Sequence, residues 1–158
     1  MKPRTLATTS LAVTATAVAG GLASDPDDEW YRQLRKPPFQ PPAIAFPVVW
    51  TALYAAIAAA SAEAIDAAEG RQREQFEAAL GANLALNAGW TWLFFRAHKP
   101  WLATAGAAVL AGSTADLARR ANKVSRRAHA LLAPYLGWTS FATVLAGSIA
   151  WLNRGRAG

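Results

Sequence analysis

Apolar positions gather into five stretches along the chain, each set off from the next by charges or prolines. They cover residues 5–23, 43–64, 78–96, 101–118 and 129–152. Each is close to the roughly 20 residues that an α-helix needs to cross about 30 Å of hydrocarbon. The pattern predicts an all-α membrane protein, a five-transmembrane-helix bundle forming one domain over residues 1–158. Short connections make sequential helices antiparallel neighbours. The interruptions differ in kind. Residues 25–42 place acids beside Trp30 and Tyr31 and then run into Lys36-Pro37-Pro38 and Pro41-Pro42. Proline removes a backbone donor and fixes φ, so continuous helix is excluded there and an ordered cap is expected. The polar run from Asp66 to Glu77, the stop Arg96 to Pro100 and the basic run 119–127 read as connections.

The first stretch supports two readings. Lys2 and Arg4 precede a weakly apolar Ala/Val/Thr/Leu run that ends in small residues around Gly21 and Ala23. That suits a signal peptide, and it suits a first span equally well. Hydropathy does not separate them.

Composition sharpens the membrane reading. Charged residues are 16% of the chain, below the roughly 25% of soluble domains, and they are confined to the interruptions. The net charge of +6 does not indicate nucleic acid. The basic residues, such as Arg119, Arg120, Lys123, Arg126 and Arg127, sit between apolar segments, where they face anionic headgroups. They divide almost evenly between the two sides, with a small bias toward a cytoplasmic N-terminus. Cysteine is absent, which removes disulfides, thiolate metal sites and a Cys nucleophile. His98 and His129 lack a helical-spaced partner, so no metal site is expected. No Ser/His/Asp signature or phosphate-binding glycine loop appears. Glu63, Asp66 and Asp116 lie near segment ends, leaving no buried relay of the kind a driven transporter uses.

Aromatic side chains recur at helical spacing. Phe46, Trp50 and Tyr54 share one face of the second stretch; Asn83, Asn87, Trp90 and Phe94 share one of the third; Tyr135, Trp138, Ala142 and Leu145 share one of the fifth. Turned inward, these stripes would line a cavity for a large, flat, apolar ligand. Periodicity alone leans slightly toward core packing for Trp50 and Trp138. The asparagines also suit plain interhelical hydrogen bonding. Trp30, Trp101 and Trp151 lie near segment ends, as belt residues do. Gly106 and Gly112 on the fourth stretch suit close packing in the bundle or between subunits.

The run Trp30-Tyr31, Leu34, Lys36-Pro37, then Pro41-Pro42, Phe46, Pro47, Trp50, Leu53 and Tyr54 resembles the signature of the TspO/MBR family, the tryptophan-rich sensory or translocator proteins, also called peripheral benzodiazepine receptors. Leu84, Leu86, Asn87, Trp90, Phe94 and Phe95 resemble its third helix, and Pro134-Tyr135, Trp138 and Ala142 its fifth. The resemblance runs from about residue 25 to 153. It implies five spans with the first retained, a homodimer, and a pocket beneath the loop between the first two helices. Family ligands are porphyrins such as protoporphyrin IX and haem, sterols and benzodiazepine-type compounds. Carried over by motif, Trp50, Tyr54, Asn87, Trp90, Trp138 and Ala142 would bind ligand, and Trp30, Tyr31, Lys36 and Pro37 would form a lid. The chain departs from the family at Leu145-Ala146, where many members have Leu-Asn, and Gly147 and Trp151 occupy the places of the Tyr and basic residue of the sterol pattern, which argues against sterol recognition.

The resemblance therefore implies a multi-pass membrane protein that binds tetrapyrroles or other apolar molecules as sensor, sequestering agent or carrier in transport. Arg32, Arg35 or Lys36 would pair with propionates. Porphyrin enters as ligand and no cofactor is required. The alternative is enzymatic: light- and oxygen-dependent porphyrin breakdown, with Trp50 and Trp138 as the catalytic residues.

Overall fold

The computed structural model describes residues 1–156, all helix and connection, with no strand among them. Five long helices and one short one follow in order: α1 Pro3–Ala23, α2 Glu29–Gln33, α3 Ala45–Ala67, α4 Gly70–Phe95, α5 Pro100–Asn122 and α6 Arg126–Leu152. Of these, α1, α3 and α6 are long and apolar enough to cross a membrane by length and composition. The long helices close a ring: α1 packs against α3 and α4, α5 against α4 and α6, and α6 against α3.

Several bounds differ from those the hydropathy pattern predicts. Helix α4 begins at Gly70, about two turns before the expected residue 78. The charged run there is helix because its polar positions stay in solvent while two apolar ones reach the core: Phe76 and Leu80 are buried, and the exposed Arg73 and Glu77 pair at 2.9 Å one turn apart. Gly70, at φ +47°, turns the chain between α3 and α4, a conformation that glycine adopts without a Cβ clash. The basic run 119–127 is likewise mostly helical. Helix α5 continues to Asn122, and α6 starts at Arg126 with Ser125 as its cap, accepting from Ala128 N at 3.2 Å. Residues 25–42 are not simply loop. Asp28 accepts from Tyr31 N at 3.2 Å and caps the short α2.

The half of the ring away from α2 is solid. Ile57, Ala60, Ala64, Phe76, Leu80, Leu117, Ala121, Ala128 and Leu132 form a continuous buried cluster, with alanines letting the backbones approach. Helix α1 is part of this packing: Thr9 Oγ1 donates to the Ala58 carbonyl of α3 at 2.9 Å, and Thr5 Oγ1 to Asp66 Oδ1 at 2.7 Å. Asp66 also accepts from Lys2 N. Gly106 lies under α4, where an added Cβ would stand 3.0 Å from Leu93 Cδ1; at Gly112 it would meet nothing within 4 Å. The two glycines thus have different surroundings, one inside the bundle and one on its outer face.

Candidate functional site

The half of the ring nearer α2 is hollow. Between the ends of α1, α3, α4 and α6 and the segment after α1 lies a cavity of about 930 Å³, near the upper end of small-molecule sites. Its walls are aromatic and rigid. Trp50 stacks over Tyr54 with centroids 5.3 Å apart and meets Trp138 edge-on at 6.4 Å and 89°. Phe46 meets Trp138 edge-on at 5.9 Å. Rings packed edge to face and stacked in this way brace one another, and the space lies open where the alanine-rich half closes.

Trp50, Tyr54, Asn87, Trp90, Trp138 and Ala142 all line this cavity. The helical faces bring them together because α3, α4 and α6 meet around one axis. Trp90 is anchored, its indole N–H donating to Ala103 O at 2.9 Å. The residues expected in the lid divide. Tyr31 and Lys36 face the cavity, whereas Trp30 and Pro37 do not line it. Trp30 instead stacks on His98 at 4.4 Å and meets Phe94 edge-on at 5.9 Å, and Pro37 is buried behind the lid. His98 holds φ +51°, strained for a residue with a Cβ, and its Nε2 lies 3.4 Å from Asp28 Oδ2. It is therefore not isolated, as its spacing in the sequence suggested.

Beneath the cavity runs a buried polar chain. The Tyr54 hydroxyl donates to Asn87 Oδ1 at 3.1 Å, and Asn87 Nδ2 donates to Tyr135 Oη at 2.8 Å. Tyr135 in turn donates to Asn83 Oδ1 at 2.9 Å, and Asn83 Nδ2 donates to Thr114 Oγ1 at 3.1 Å. Asn83 shares a face with Asn87 but not the site; it and Tyr135 are 0% exposed. The spacing put Tyr135 on the right face of α6, yet its partners come from α4, which no local pattern specifies.

The mouth is polar. Arg32, Lys36, Gln40 and Asp27 line it. Lys36 Nζ donates to Tyr31 O at 2.8 Å and lies 4.5 Å from the Tyr31 ring centroid. Burial lowers the Lys36 pKa below its ordinary value. Burial raises that of the Tyr31 phenol, partly offset by the hydrogen bond from Gln40. Arg35 points elsewhere: its backbone exchanges two hydrogen bonds with the Asn153 side chain. Arg156 Nη1 adds a bond to Gln33 O at 2.7 Å, so the lid is tied to the end of α6. On the opposite side Trp92 Nε1 donates to Ala19 O and Arg96 Nη2 to Leu22 O, each at 3.1 Å, fastening α4 to α1.

The model of the TspO/MBR family matches residues 8–152, a span that takes in most of α1. The chain is 35% identical to the translocator protein of Ovis aries, with 80% of this chain and 76% of that protein covered. It is 32% identical to the tryptophan-rich protein TspO of Chlorobaculum tepidum, covering 88% and 89%. With the tryptophan-rich sensory protein of Cereibacter sphaeroides it shares 34% identity over 83% and 80%.

Proposed function

The chain belongs to the TspO/MBR family of membrane proteins, and we propose that it binds porphyrins and related flat apolar ligands within the bilayer, as sensor, sequestering agent or carrier. The observation that carries this reading is the cavity of about 930 Å³ walled by Trp50, Trp138 and Trp90. Its flat aromatic walls suit a conjugated ring, and its only lining cations among the described residues, Arg32 and Lys36, stand at the mouth, where propionates would meet them. Trp50, Tyr54, Asn87, Trp90, Trp138 and Ala142 are the ligand-binding residues in this reading; Tyr31 and Lys36 close the mouth, with Trp30 and Pro37 supporting them from behind.

All five long helices span the membrane in this proposal. Helices α4 and α5 are less apolar than the other three, but with 26 and 23 residues they reach about 39 and 35 Å at 1.5 Å per residue. They complete a ring whose other members are apolar enough to cross. The working form is a homodimer. Gly81, Ala85 and Gly89 form an exposed small-residue line on α4, and nothing lies within 4 Å of a Cβ added at either glycine, the pattern that permits close helix association.

Titration of the purified protein with protoporphyrin IX, followed by tryptophan fluorescence, tests the pocket. Saturable quenching is expected, weakened at least tenfold in the Trp50→Ala, Trp138→Ala double variant. Unchanged affinity in that variant would exclude the cavity as the site.

A second reading rests on the contiguity of the rings. Trp138, Trp50 and Tyr54 follow one another at 6.4 and 5.3 Å, a path along which a radical formed on an illuminated porphyrin in the presence of oxygen could move. Under this reading Trp50 and Trp138 are catalytic. A discrete product formed under light and oxygen would support it, and bleaching equal to that with a Trp50→Phe, Trp138→Phe control would argue against it.

A further inference from the structure

The polar chain beneath the cavity has a direction, and Thr114 sets it. Its hydroxyl donates to the Leu110 carbonyl at 2.9 Å, an atom that can only accept. At its contact with Asn83 the same hydroxyl oxygen must therefore accept, which turns Asn83 Nδ2 toward Thr114 and Oδ1 toward Tyr135. Tyr135 spends its one proton on Asn83 and so accepts from Asn87 Nδ2. That leaves Asn87 Oδ1 facing Tyr54, which spends its own proton there. Asn83, Thr114 and Tyr135 are all 0% exposed, so bulk water does not offer replacement partners, and each amide has one orientation that satisfies its neighbours.

We propose, building on the porphyrin-binding reading, that Tyr135 is a positioning residue that makes the cavity floor an acceptor at Tyr54 Oη and thereby bars acidic groups from it. Tyr54 offers lone pairs only. The remaining N–H of Asn87 and the indole N–H groups of Trp50 and Trp138 in the walls are neutral donors, and the lining cations Arg32 and Lys36 are both at the mouth. A carboxylate pushed to the floor would lose its water and face an oxygen lone pair with no cation to compensate. The ligand class is thus flat, apolar rings that carry all their acidic groups on one edge. Such a ring enters apolar edge first and leaves its acids with Arg32 and Lys36.

Protoporphyrin IX and coproporphyrin III test this directly, because the second replaces the two vinyl groups of the first with propionates on the far edge. Affinities are measured by tryptophan quenching for the intact protein and for Tyr135→Phe, which lets the Asn87 amide turn and frees the Tyr54 proton. Wild type should bind protoporphyrin at least tenfold more tightly than coproporphyrin, and Tyr135→Phe should narrow that ratio several-fold. Thr114→Val combined with Ser113→Ala, which removes both acceptors of Asn83 Nδ2 and releases the chain from its far end, should narrow it in the same direction and serves if Tyr135→Phe does not fold. Equal binding of the two porphyrins by wild type would overturn the inference while leaving porphyrin binding intact. So would an unchanged ratio in variants that keep the wild-type melting temperature. Failure of wild type to bind either porphyrin would overturn both.

Discussion

Arg35 and Asn153, 118 positions apart, hold each other by two hydrogen bonds: Arg35 N donates to Asn153 Oδ1 at 3.0 Å, and Asn153 Nδ2 donates to Arg35 O at 2.9 Å. An asparagine amide offers one donor and one acceptor side by side, so it serves a bare stretch of backbone as a neighbouring strand would. The pair clamps the proline-rich segment over the mouth onto the end of α6. Asn153→Ala removes both bonds, each worth about 1 kcal/mol. We expect roughly tenfold faster dissociation of protoporphyrin, with a smaller loss of thermal stability, measured by stopped-flow quenching and by melting in detergent. Unaltered dissociation would show that this clamp does not govern the mouth.

Lys36 and Arg32 should matter to ligand acids and not to ligand rings. Each replaced by Gln should weaken protoporphyrin roughly two- to fivefold, the size expected of a solvated ion pair, and leave its dimethyl ester unaffected. The direction with pH follows from the lowered pKa of Lys36. The ammonium is charged below that pKa and neutral above it, so its contribution is present on the acid side of it. It is lost as pH rises through a value below that of free lysine. An acid-specific fall in affinity on the alkaline side, absent in Lys36→Gln, is the expected signature.

Gly106 tests the packing of α5 against α4. The nearest atom to an added Cβ is the flexible tip of Leu93, at 3.0 Å, with Trp90 Cδ1 at 3.5 Å. Gly106→Ala should therefore be close to neutral, whereas Gly106→Leu should cost about 1–3 kcal/mol through overpacking. Because a leucine there would press on Trp90 as well as on Leu93, ligand affinity should fall with it. Gly112→Leu, placed where nothing lies within 4 Å, should melt like wild type in the same assay.

The α4 line tests the dimer. Gly81→Leu with Gly89→Leu fills a face that meets nothing within the protomer, so melting of the protomer should be preserved while close approach of a second copy is blocked. Sedimentation in detergent should shift from dimer to monomer by at least tenfold in dissociation constant. A dimer that survives both substitutions would place the interface elsewhere.

The helical, membrane-embedded character of the chain is determined by its sequence alone. Apolar stretches of spanning length and charges confined between them admit few other solutions, and the ordered motif around Trp50, Asn87, Trp90 and Trp138 carries the family with it. Helical periodicity also placed Trp50, Tyr54, Asn87 and Trp138 on their faces, since 3.6 residues per turn is a local property. Periodicity could not say what those faces meet. The helical start of α4 at Gly70 was hidden because hydropathy counts Arg73 and Glu77 as polar without registering that they pair one turn apart while Phe76 is buried in the bundle. The motif placed Trp30 and Lys36 together in one lid; only the packing sends one to His98 and the other to the cavity. The direction of the Tyr54, Asn87, Tyr135 and Asn83 chain is likewise tertiary. It depends on a threonine on another helix giving its proton to its own backbone, and a hydrogen-bond chain takes its polarity from its most constrained member.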